Sequence, residues 1–173
     1  GGAEMYRAVR AHEAGDAAAF QSHFAKAKEH LARCVAIVKE IPQYAVTCHA
    51  ITVGSYSTMT DRLPPAERKA GWLTARESYT ALVAIHGADF DKIPVHFRGE
   101  ILAGLTMAAQ RLGEKDKAAA MTRELIEKLP GTPYAVFAKR WLDKPETMAK
   151  TKLNCATCHD SGRLAAVQAR LKT

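Results

Sequence analysis

Residues 16–41 read DAAAFQSHFAKAKEHLARCVAIVKEI, and this stretch decides the fold. Phe20, Phe24, Ala27, Leu31, Cys34, Val35 and Val38 recur at steps of three and four, the spacing of one stripe on an α-helix. Asp16 stands at the N-cap position after Gly15, and Pro42 ends the run. Polar and charged residues fill the other face. A helix so divided must bury its stripe against neighbours.

The same pattern continues on both sides. Residues 4–14 read as a short helix with Met5, Val9 and His12 on one side. A third helix is expected over 43–61, with Tyr44, Cys48, Ile51, Ser55 and Met59 inward. Pro64-Pro65 introduces a fourth, about 65–87, with Trp72, Ala75, Tyr79, Leu82, Val83 and His86 on its stripe and Gly87 as cap. The fifth starts at Pro94 and carries Phe97, Ile101, Leu105, Ala108 and Leu112. Gly113 turns the chain into a sixth, 115–129, ended by Pro130-Gly131. Thr132-Pro133 opens a seventh with Tyr134, Phe137, Ala138, Trp141 and Leu142. Residues 144–154 are polar and Lys-rich and read as a connector. After Gly162, residues 163–172 form a last amphipathic helix through Leu164, Val167 and Leu171. The expected fold is all-α. Turns this short set neighbouring helices antiparallel, as helical hairpins. The expected organisation is a helical-hairpin domain over 1–143 and a C-terminal segment, 144–173, packed on it.

The chain has 173 residues and a formal charge of +7. That length suffices for a domain with a real core. Lys and Arg are scattered along the helices, so the basic excess is first a solvated surface and second a docking face for an acidic partner. Nucleic acid is disfavoured, since no basic block is interleaved with aromatics and no zinc-finger spacing occurs. No apolar run reaches the length that spans a bilayer. No catalytic triad, phosphate loop or metalloprotease helix is present.

One motif carries chemistry: Cys155-Ala156-Thr157-Cys158-His159, a C-x-x-C-H pattern. Two thiols at this spacing form thioethers to the two vinyl groups of a porphyrin, and the adjacent histidine lies under the iron. The motif resembles that of c-type cytochromes. The resemblance implies one covalent haem c, held through Cys155 and Cys158 with His159 as proximal ligand to the iron. It further implies a periplasmic or otherwise exported protein whose leader is absent from this sequence. The implied activity is single-electron transfer with a redox protein partner. Asp160 is a helix cap or the acceptor for the free N–H of His159.

The sixth iron position separates a sealed carrier from a gas binder or sensor. Its candidates are His86, Met148, His12 and His96. His23, His30 and His49 flank their stripes and are expected to face water, while Met107 and Met121 are expected in the core. The other alternative is an interaction scaffold whose tail binds zinc. Residues 97–142 resemble a tetratricopeptide hairpin with its closing helix, through Gly113, Ala118 and Pro130, although Thr106 and Leu125 stand where that repeat prefers small residues. The alternative architecture is a cytochrome c-prime-like bundle.

Cys34 and Cys48 stand level across the turn at Ile41, each seven residues from it. A disulfide is expected there in an oxidising compartment. Competing readings are two buried thiols, a haem motif lacking its first cysteine over 45–49, and zinc held by all four cysteines. Trp72, Tyr79, Phe137 and Trp141 are first of all core residues, with Phe137 and Trp141 near enough in sequence to the motif to wall a haem.

Overall fold

The computed structural model describes residues 1–154. Cys155, Cys158, His159 and the helix expected over 163–172 lie outside the described residues. Among the described residues the protein is all-helical, with seven α-helices and no strand. They are α1 (Gly2–Glu13), α2 (Ala17–Ile37), α3 (Ala45–Met59), α4 (Pro65–His86), α5 (Val95–Arg111), α6 (Lys115–Lys128) and α7 (Pro133–Asp143). The chain divides into two compact units, Gly1–Phe90 and a second beginning at Asp91.

In the first unit α1 pairs with α2 and α3 with α4, while α3 also lies against α1 and α2. The α1–α2 turn is set by Gly15, at φ 75°, a left-handed conformation in which a side chain is disfavoured. Asp16 then caps α2, its carboxylate accepting from the Ala19 N–H at 2.9 Å. Phe20, Phe24, Ala27 and Leu31 are buried. The rings of Phe20 and Phe24 stack at 5.2 Å, and His12 packs on Phe20 at 5.6 Å. Glu13 at the end of α1 accepts from Arg62 just past α3, at 2.8 Å. A Cβ on Gly2 would meet Ser55 Oγ at 3.1 Å. Residue numbers therefore rise together along α1 and α3, and these two helices run the same way.

The inward face of α3 differs from the expected one. Tyr44 and Ile51 are exposed, while Cys48, Thr52, Val53, Tyr56 and Ser57 are buried. The helix is rotated from the stripe of large apolar residues because Thr52 hides its hydroxyl on the Cys48 carbonyl at 2.8 Å and presents its methyl. Pro42–Tyr44 forms a 3-10 turn rather than the start of the helix, and a second such turn covers Thr60–Arg62. Trp72 of α4 donates to Asp61 at 2.9 Å. Gly71 lies so close to Thr60 that a Cβ would stand 2.6 Å from its hydroxyl oxygen.

In the second unit α6 packs on both α5 and α7. The aromatic ring of Tyr134, at the start of α7, covers Gly99 near the start of α5; a Cβ on Gly99 would fall 2.3 Å from the ring. Arg111 at the end of α5 reaches the chain beyond α7, so α5 and α7 also run the same way. Helix α5 is buried over most of its circumference, through Gly99, Ile101, Leu102, Ala103, Met107, Ala108 and Ala109. Ala118 and Leu125 of α6 are buried as well. Within residues 144–154, expected as a connector, Met148 and Thr151 are tied to this unit by hydrogen bonds and Leu153 and Asn154 are buried.

Candidate functional site

Helix α7 opens with a cap and a proline. Thr132 Oγ1 accepts from the Ala135 N–H at 3.3 Å, and Pro133 takes the first helical position, where its missing N–H is not needed. The helix then turns Trp141 inward at 2 % exposure. The Trp141 indole N–H donates to Thr151 Oγ1 at 2.6 Å, and that hydroxyl donates to the Thr147 carbonyl at 2.9 Å. Arg111 holds the same stretch from the α5 side, donating to the carbonyls of Met148 at 2.6 Å and Thr151 at 3.0 Å. The Leu153 N–H points at Met107 Sδ, 3.2 Å away, and Leu153 is fully buried. The chain is thus pinned from Thr147 to Leu153, immediately before the C-x-x-C-H motif. Asn154 is buried, and its Oδ1 has no hydrogen-bond partner among the described residues.

Against this pinned stretch α7 leaves a cleft of about 320 Å³. Phe137 and Trp141 form its apolar wall, and Arg140, Lys144 and Lys152 line it with Asp143, three cations over one carboxylate. The Arg140 guanidinium lies 5.5 Å from the Phe137 ring centre. Cations near a helix C-terminus are favoured by the peptide dipoles there. The donor set suits a flat apolar group that carries carboxylates at one edge, and a haem is such a group. The amide oxygen of Asn154, without a partner among the described residues, is a further acceptor in the same stretch.

The candidate ligands fall into separate places. Cys155, Cys158 and His159 lie outside the described residues. His12 and His86 belong to the first unit, both half-buried, His12 against Phe20 and His86 at the end of α4. His96 and Met148 belong to the second. The exposed His96 places Nδ1 3.0 Å from the Tyr134 hydroxyl, which donates to Glu100 at 2.8 Å. Met148 is half-buried, and its carbonyl is the one Arg111 holds. Among the described residues no group of three or more His, Cys, Asp or Glu is placed to hold a metal ion.

Cys34 and Cys48 form a disulfide, with Sγ–Sγ 2.02 Å and Cα–Cα 5.3 Å. Cys48 therefore has no thiol for a thioether at 45–49, nor have these two cysteines thiolates for zinc. His49 does not face water as expected. It is half-buried, its Nδ1 has no partner among the described residues, and burial pulls its pKa below the ordinary histidine value. His23 is also half-buried, with Nδ1 2.6 Å from Glu4 Oε2, whereas His30 is exposed.

Comparison with protein families, with curated proteins and with solved structures found no match. Sequence reading missed Arg111, Arg140, Lys144, Thr151 and Lys152. Only the step of four between Arg140 and Lys144, one helical turn, was a visible signal that two cations share a face.

Proposed function

We propose that this chain is an exported mono-haem c-type cytochrome that passes single electrons between protein partners. The observation that carries the reading is the C-x-x-C-H motif following directly on a stretch pinned beside a basic, aromatic-walled cleft. Cys155 and Cys158 are the thioether positions and His159 the proximal ligand. When bound, the haem supplies the Fe(II)/Fe(III) couple. The chain's own part is to fix the attachment point through Arg111 and Trp141, to wall the group from water, and to offer cations to its carboxylates. The Cys34–Cys48 disulfide supports an oxidising compartment.

The tetratricopeptide-like reading of the body is supported by the shared direction of α1 and α3, and of α5 and α7, within their units. Stacked hairpins of that kind offer surfaces to partner proteins. With a formal charge of +7, the favoured partner is an acidic redox protein.

The test is the visible spectrum of the reduced, exported protein with and without carbon monoxide. The proposal expects c-type bands that carbon monoxide leaves unchanged. Bands that shift with the gas would make the protein a gas binder, and a colourless protein containing zinc would make it a scaffold.

A further inference from the structure

The cleft beside α7 has a composition that a merely structural crevice does not require. Its wall is aromatic, through Phe137 and Trp141, and its rim carries Arg140, Lys144 and Lys152 against the lone carboxylate of Asp143. Arg140 and Lys144 are both exposed, so neither is there to complete the core. We propose that this cleft receives the propionate edge of the haem, with Arg140 and Lys144 as the partners of the two carboxylates and Trp141 and Phe137 against the adjoining ring edge. This inference rests on the haem reading above and assigns that group its seat on the body.

Three physical points favour it. Arg140 and Lys144 stand one turn apart at the C-terminal end of α7, so both charges reach one ligand edge; a guanidinium binds a carboxylate through two parallel N–H bonds and an ammonium through one. The volume, about 320 Å³, lies at the lower end of small-molecule sites and suits one edge of a tetrapyrrole, not the whole of it. The tether is short: three residues of chain, at most about 11 Å, separate Lys152 on the rim from Cys155, the first thioether position. Asp143 opposes the carboxylates, and the three cations outweigh it.

Cations at the carboxylate edge have two measurable effects on a bound haem. They disfavour the more positive Fe(III) state, which raises the midpoint potential. They also favour ionised propionates, which keeps the acid break in the potential at low pH. The experiment measures midpoint potential against pH for the exported holoprotein and for Arg140→Gln with Lys144→Gln. The expected result is a shift to more negative potential and an acid break moved to higher pH. The charge-conserving pair Arg140→Lys with Lys144→Arg should restore both. A double glutamine variant with unchanged potential and unchanged break overturns the inference while leaving the haem reading standing. A chain exported without covalent haem overturns that reading, and the inference with it.

Discussion

Breaking the Cys34–Cys48 bond should destabilise the first unit by an amount that the chain itself sets. The sequence separation of 14 closes a loop of about 15 residues, for which lost loop entropy in the unfolded chain is worth about 3 kcal/mol. The bond ties the last turn of α2 to the first turn of α3, across the exposed Pro42–Tyr44 turn. Cys34→Ala with Cys48→Ala is the appropriate variant, since Cys48 is buried and serine would bury a hydroxyl there. For a unit of this size, about 3 kcal/mol corresponds to a fall in melting temperature of about 12–24 °C. Thermal unfolding followed by circular dichroism reads this directly, with the reduced wild type as a second sample. A double-alanine variant within about 0.5 kcal/mol of the wild type, the range of an uneventful surface change, would mean that the bond does not stabilise this unit. Alkylation of Cys34 and Cys48 in denatured, unreduced protein would mean that the bond is absent.

Gly99→Ala should destabilise the second unit by about 1–3 kcal/mol, because its Cβ would fall within the buried ring of Tyr134, which must then shift; urea denaturation measures it. Thr151→Val, which keeps the shape and removes the acceptor of the Trp141 indole, should cost about 1–3 kcal/mol and change the Trp141 fluorescence. Acid should loosen the first unit. The His23 contact, then Arg7, holds the Glu4 carboxyl below its ordinary value, and Arg62 does the same for Glu13. A carboxyl depressed in the folded state contributes stability that is present above its unfolded value, about 4.3, and is lost as pH falls through the folded one. Stability should therefore decline below about pH 4.3, and Glu13→Gln should flatten part of that decline in an acid unfolding titration.

Much of the fold was legible because punctuation in this chain is strong. Asp16, Thr132 and Pro133 start helices, and Gly15, Gly87, Gly113 and Gly131 sit at positive φ just beyond helix ends. Helix α2 was legible because its large apolar residues occupy one stripe. Helix α3 was not, because Thr52 and Ser57 are buried and Ile51 is exposed. A threonine that returns its hydroxyl to its own helix counts as apolar in the fold and polar in the sequence. The burial of α5 nearly all round was hidden for a related reason: Gly99, Ala103 and Gly104 admit neighbours by being small, and small residues carry no periodic signal. In the candidate site the motif is local and could be read at once. The cleft could not, since Arg111 is far in sequence from the carbonyls it holds, and the role of Thr151 depends on where Trp141 arrives.

Covalent attachment of one porphyrin to the C-terminal segment is read from the intact mass of the exported chain under denaturing conditions. The mass should exceed that of the polypeptide by one haem, with no such excess for Cys155→Ala with Cys158→Ala. A wild-type mass equal to the polypeptide alone would contradict the attachment.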